Sequence, residues 1–405
     1  MSSFPFFADV AMAPRDPILG LNDAFQADTH SHKINLSIGV YCDDNGKVPV
    51  LSCVRQAIAA LMENPSPRTY LPQDGMPAYK QAVQELLLGK DHEVIAAKRG
   101  ATIQSLGGTG GLKIGADFLR WFSPNAKVWV SAPTWDNHKA IFGDAGLSVV
   151  NYPYYDNVTG GYDINAMLGA LKTAQKGDVI VLHACCHNPT GVDPSNEDWV
   201  RIVDLIERQN LVPFLDIAYQ GFGFGLAEDS FAVRQFAARK MPVFIASSFS
   251  KSFSLYGERV GALTVLTGSS DDAARVQSQI KRIIRANYSN PPTFGAAIVA
   301  KVLTDPALRA LWEKELGDMR GRIQKMRVAL HRRLSQLNPS TNYDYIVNQK
   351  GMFSYSGLTA AQVKKIRETQ SIYVVESGRI CVAGLNDKNV ETFADAMVAV
   401  QKAGA

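Results

Sequence analysis

The chain has 405 residues, 46% hydrophobic and 20% charged, a length and composition that allow two or three compact lobes and exclude a disordered or collagen-like chain. Lys and Arg total 42 against 38 for Asp and Glu, a balance of +4 with no long basic run, so nucleic acid is not an expected partner. Five cysteines without C-x-x-C spacing exclude a disulfide-stapled scaffold and a zinc cage, and fit reduced cytosolic thiols.

In chain order, the opening MSSFPFFADVAMAPRDP lacks a basic stretch followed by an uninterrupted apolar run. No apolar run of about 18 residues follows it, so the expectation is a cytoplasmic protein with no membrane segment. Short apolar runs then alternate with segments of helical period, which predicts an α/β fold whose strands are mostly parallel. The strand candidates are 127–131 (KVWVS), 179–183 (VIVLH), 212–216 (VPFLD), 243–247 (VFIAS) and 262–266 (ALTVL), near-continuously apolar as strands buried on both faces are. Met319, Ile323, Met326, Leu330 and Leu334 recur at steps of three and four, predicting an amphipathic helix over 317–334. Strand-like pieces at 352–355 and 379–383 and a terminal helix predict a smaller α+β lobe. The expected division is an N-terminal arm with part of the small domain (1–46), a large domain (47–315) and a small C-terminal domain (316–405).

The chemistry concentrates in SSFSKSFSLYGERVG at 247–261. Lys251 stands among Ser248, Ser250 and Arg259, hydroxyls and a fixed cation suited to a phosphate dianion. A lysine beside a phosphate site suggests pyridoxal phosphate. The glycines at 107–111 precede a helical stretch and are either a flexible connection or a backbone cradle for an anion. Asp216 closes an apolar strand, where a bare carboxylate is costly; its partner is either a protonated pyridine nitrogen or a helix N-terminus. His183, Cys185, Cys186 and His187 lie close together, but no second cluster completes a metal site, and no metal is expected.

The motifs INLSIGVY (34–41), TYLPQDG (69–75), GGTGGLKIGADF (107–118), PTWDNH (133–138), HNPTG (187–191), LDIAYQGF (215–222), the lysine segment, IRANYSNPP (284–292) and GRICVAG (378–384) follow one another in an order that resembles the class I aminotransferases of fold type I. The resemblance spans nearly the whole chain and is nearest to the aspartate and aromatic-amino-acid branch. It implies that Lys251 binds pyridoxal phosphate covalently and later moves the substrate proton. By the same resemblance, Gly108, Thr109, Ser248, Ser250 and Arg259 hold the phosphate, and Trp135 stacks on the ring. Asp216, braced by His138, meets the ring nitrogen, and Tyr219 and Asn188 meet the ring oxygen. Arg379, with Asn188, receives the substrate α-carboxylate. Arg285 reaches a side-chain carboxylate from the neighbouring subunit, and Tyr70 donates to the phosphate across the same homodimer interface. Ile38 and Gly39 belong to a segment that closes over the substrate.

The implied reaction is reversible transamination between an aromatic or dicarboxylic L-amino acid and 2-oxoglutarate or oxaloacetate. A strict aspartate aminotransferase, and a non-catalytic protein that binds an amino acid and the cofactor, are the alternatives.

Overall fold

Seven strands build the central sheet of the computed structural model, which describes residues 19–403 except 64, 66 and 68, together with 7 and 10–13. They are β1 (Gly100–Leu106), β2 (Lys127–Ala132), β3 (Ser148–Pro153), β4 (Val179–His183), β5 (Val212–Ile217), β6 (Val243–Ser248) and β7 (Val260–Leu266). Their spatial order is β1-β7-β6-β5-β4-β2-β3. Neighbours from β6 to β3 run parallel, whereas β7 runs antiparallel to both β6 and β1. The five strands expected from apolar runs are all present, and two more join them. β1 escapes a hydropathy reading because its buried Thr102 and Gln104 are polar. Both are satisfied, Thr102 by the Thr264 hydroxyl at 2.9 Å and Gln104 by the Pro292 carbonyl at 2.6 Å. Burial of a polar group is tolerated on those terms. β3 is an edge strand, exposed at Ser148, Asn151 and Pro153.

The glycines at 107–111 are not a loop before a helix. They form the first turn of the helix Gly107–Phe122, which packs on β7 and β6. A Cβ at Gly111 would lie 2.9 Å from the Ala262 carbonyl oxygen and one at Gly115 2.5 Å from the Phe214 ring, so the absent side chains let helix and sheet approach.

The predicted helix over 317–334 extends in both directions to Pro306–Leu337. Asp305 caps it through the N–H groups of Ala307 and Leu308, with Pro306 at the first helical position, a combination suited to a helix start. Trp312, Leu316, Met319, Ile323, Met326, Leu330 and Leu334 on this helix are buried. Residue 315 therefore lies within a continuous helix, which packs against Ser52–Glu63 and Phe294–Thr304 as well as against the C-terminal helix Val390–Lys402.

The C-terminal part carries two small strand pairs. Phe353–Tyr355 runs antiparallel to Arg379–Cys381, and Ile372–Tyr373 pairs in parallel with Ile34–Asn35 from the other end of the chain. Residues 382 and 383, expected to continue the strand, belong to a 3₁₀ turn over Val382–Gly384. Most of residues 1–18, the start of the expected arm, lie outside the described residues. No described helix is long and apolar enough to cross a membrane.

Candidate active site

The carboxyl ends of the parallel strands open onto a cavity of about 260 Å³, the usual place for a ligand in an open α/β sheet. Asp216, second to last in β5, lies beside His183 of β4 and Ala246 of β6 in the sheet register. β6 ends at Ser248, and the turn after it carries Ser250 and Lys251 to the same rim. Because β7 is antiparallel, its first residue starts at this edge too, which puts Arg259 beside Gly107 and Gly108. The backbone N–H of Gly107 donates to the Arg259 carbonyl at 2.9 Å. A Cβ on Gly107 would come within 2.6 Å of the Arg259 guanidinium, and one on Gly108 within 3.1 Å of Ser248 Cβ.

Asp216 is buried, and its Oδ2 lies 3.0 Å from His138 Nε2. His138 Nδ1 is in turn 2.8 Å from the Thr134 hydroxyl. Burial opposes the charge on Asp216, but the His138 hydrogen bond and the nearby His138, His183 and Lys251 outweigh it and hold the carboxyl below its ordinary value. Burial also lowers the Lys251 amine to about 8, against the pull of Asp216, with Arg259 adding to the lowering. Lys251 Nζ sits 5.0 Å from the centre of the Tyr219 ring.

Arg379, 4% exposed, begins its strand at the opposite wall. Its guanidinium donates to the Ser37 carbonyl, approaches Asn188 Oδ1 at 3.5 Å and lies 4.4 Å over the Phe353 ring. Among the described residues its Nε is buried without a hydrogen-bond partner. The cavity thus holds an amine of lowered pKa, a buried carboxylate and a buried guanidinium with spare donor capacity.

The chain matches the family described as "Aminotransferase class I and II" over residues 31–397. The chain belongs to this aminotransferase family. The aspartate aminotransferase of Pseudomonas aeruginosa is 53% identical over 97% of this chain and 99% of its own length. The aromatic-amino-acid aminotransferase of Escherichia coli is 50% identical over 95% of this chain and 97% of its own. Among solved structures, the aromatic-amino-acid aminotransferase of Burkholderia pseudomallei, covalently bound to pyridoxal phosphate, superposes with a TM-score of 0.96 at 57% identity, covering 99% of this chain and all of that one.

The donor set of this aminotransferase fits pyridoxal phosphate. Two glycines whose Cβ atoms would intrude, two buried serines, Thr109 and Arg259 form a cup for a dianion. Ionised Asp216 suits a pyridinium nitrogen, and Lys251 suits an aldehyde. Of the residues singled out in the sequence, Gly39, Gly108, Thr109, Trp135, Asn188, Asp216, Tyr219, Ser248, Ser250, Lys251, Arg259 and Arg379 line this one cavity, with His138 directly behind Asp216. Ile38 is half-buried and does not line it. Tyr70 is 90% exposed, and Arg285 is exposed at the end of the helix Ser270–Asn287, bonded to Ser289. Neither reaches the cavity of its own chain.

Five cavity residues were not singled out from sequence as lining it: Leu112, His183, Ala218, Tyr256 and Phe353. Leu112, Ala218 and Tyr256 lie inside identified motifs, which was the available signal for them, whereas Phe353 opens the strand Phe353–Tyr355, far in sequence from every motif. The His183, Cys185, Cys186 and His187 cluster divides in space. Among the described residues, potential ligand atoms of His183 group with His138 and Asp216, and those of both cysteines with Asp229. Asp229 accepts from the backbone N–H groups of Gly221, Gly223 and Phe224 at 2.8–2.9 Å.

Proposed function

We propose that this aminotransferase exchanges the amino group between aromatic or dicarboxylic L-amino acids and 2-oxo acids such as 2-oxoglutarate and oxaloacetate. The observation that carries the reading is Lys251 and Arg379 facing one cavity, an arrangement that accepts both ends of an α-amino acid. A guanidinium fork matches the α-carboxylate in shape as well as charge. Bound in the cup, pyridoxal phosphate supplies an electron sink for the bond between the substrate α-carbon and its hydrogen.

The chain's own residues do the rest. Gly108, Thr109, Ser248, Ser250 and Arg259 hold the phosphate, and Trp135 covers the ring. Asp216 keeps the ring nitrogen protonated, and His138 fixes the carboxylate by hydrogen bonding to its Oδ2. Asn188 and Tyr219 address the ring oxygen. Lys251 holds the cofactor covalently between turnovers; once displaced, its Nζ takes the proton from the substrate α-carbon, a task that needs the neutral amine. Arg379 orients the substrate so that this hydrogen faces Lys251, with Asn188 assisting, while Ile38 and Gly39 belong to the segment above it.

We read the working form as a cytoplasmic homodimer in which Tyr70 and Arg285 serve the site of a second copy. Their exposure away from their own cavity supports this. The five cysteines are free, which suits a reducing compartment. In this reading, a cofactor-binding lobe spans 47–315 and a smaller lobe combines the N-terminal arm with 316–405. Incubation with aspartate, tyrosine, phenylalanine and tryptophan as donors to 2-oxoglutarate, with glutamate as the measured product, tests the assignment. Glutamate should form from both acidic and aromatic donors, and failure with every donor would remove the reading.

A further inference from the structure

The segment 37–41 is held from two sides. On the small-lobe side, Leu36 accepts from the Cys381 N–H at 2.8 Å, Cys42 donates to the Ala383 carbonyl at 3.1 Å, and Arg379 donates to the Ser37 carbonyl. Gly39 passes so close to the Phe353 ring that a Cβ would lie 2.7 Å from it. These contacts lead to the strand that bears Arg379, to the turn that follows it or to its pairing partner.

On the other side, the backbone N–H of Tyr41 donates to the Tyr256 hydroxyl at 2.8 Å. Tyr256 lies five residues after Lys251 and lines the same cavity. Its own backbone carbonyl accepts from Arg259 at 2.7 Å. One tyrosine therefore meets the phosphate-cup arginine through its backbone and the substrate-covering segment through its hydroxyl.

We propose that Tyr256 is a positioning residue that latches segment 37–41 onto the lysine-bearing loop, so that Gly39 and the Ser37 carbonyl on Arg379 stay in register above the amino-acid subsite. The inference rests on the reading that this cavity binds an amino acid against Arg379. Tyr256→Phe removes only the hydroxyl, and with it the acceptor for the Tyr41 N–H. The ring stays, and so does the backbone carbonyl that Arg259 uses, so the latch opens while the phosphate cup is undisturbed. Amino-acid binding should suffer and cofactor retention should not, a split that general loosening of the fold would not produce.

The test compares the wild-type and Tyr256→Phe holoenzymes by amide hydrogen exchange at Tyr41, by KM and kcat for aspartate and phenylalanine, and by the rate of pyridoxal phosphate release. In the wild type the Tyr41 amide should be protected. In the variant its exchange should accelerate by about tenfold, and KM for both donors should rise about three- to tenfold, the scale of one lost hydrogen bond. kcat should change much less, and cofactor release should stay at the wild-type rate.

An unprotected Tyr41 amide in the wild type overturns the latch without recourse to any variant. Unchanged exchange and KM in a folded Tyr256→Phe protein overturn it equally. A wild type that transaminates no donor removes the functional reading instead, and the exchange comparison still decides whether Tyr256 holds the segment.

Discussion

The Lys251 amine, brought down to about 8 from 10.5 chiefly by burial, sets a pH dependence of definite sign. Below that value the amine carries a proton and cannot attack an aldehyde; above it the lone pair is free. Capture of pyridoxal phosphate by the apoprotein should therefore accelerate as pH rises through about 8, followed by the absorbance of the bound cofactor. Acceleration confined to the range of an ordinary lysine would show that the amine is not desolvated. Lys251→Ala should abolish turnover with the fold intact, and borohydride reduction of the loaded wild type followed by peptide mapping should label Lys251. Label on another lysine would displace the assignment. Asp216→Asn should keep some cofactor and lose most activity, since a neutral amide does not stabilise a pyridinium charge; near wild-type turnover with cofactor bound would remove that role. Arg379 and Arg285 are expected to divide the substrate. Arg285→Leu should cost about ten- to a hundredfold in kcat/KM with aspartate, the scale of a charge-assisted hydrogen bond, and much less with phenylalanine. Equal losses would show that Arg285 does not discriminate between them.

Helix Ser52–Glu63 begins against the long helix Pro306–Leu337, where Glu315 accepts from the N–H groups of Ser52 at 2.6 Å and Cys53 at 2.9 Å. A carboxylate from one helix thus satisfies orphan donors at the start of another. Glu315→Ala should cost about 1–3 kcal/mol through the lost charge-assisted bonds, and Glu315→Gln, which keeps one acceptor, should cost less; denaturant unfolding of the two variants decides the order. Elements of this kind mark what could be read from sequence. β4 and β5 are apolar along nearly their whole length, and Leu330 and Leu334 repeat at helical spacing, so periodicity found those elements. β1 stayed hidden because its buried polar side chains find partners far along the chain, Thr102 at Thr264 and Gln104 at Pro292, pairings that no local pattern records. In the site, Lys251 and Arg259 share one motif and were legible together. The register that sets Asp216 beside His183, the bond from Tyr256 to Tyr41 and the stacking of Phe353 on Arg379 join residues distant in sequence, and only the folded chain brings them into contact.

For the whole molecule, the exposure of Tyr70 and Arg285 predicts complementation. Mixed Arg285→Ala and Lys251→Ala chains should recover part of the aspartate activity, because one of the two sites in a hybrid dimer receives both an intact lysine and an intact arginine. No recovery after verified subunit exchange would contradict a shared site. The parallel pairing of Ile34–Asn35 with Ile372–Tyr373 has a consequence for synthesis. The strands that carry Asp216, Ser248 and the start of the Arg259 turn have all been synthesised once residue 266 is made. The strand partner of Ile34 and the guanidinium of Arg379 follow more than a hundred residues later, on the order of ten seconds at ordinary elongation rates. The start of the chain must wait for its end before the Arg379 wall of the cavity exists, so a nascent chain holds the Lys251 rim of the site well before the wall that faces it.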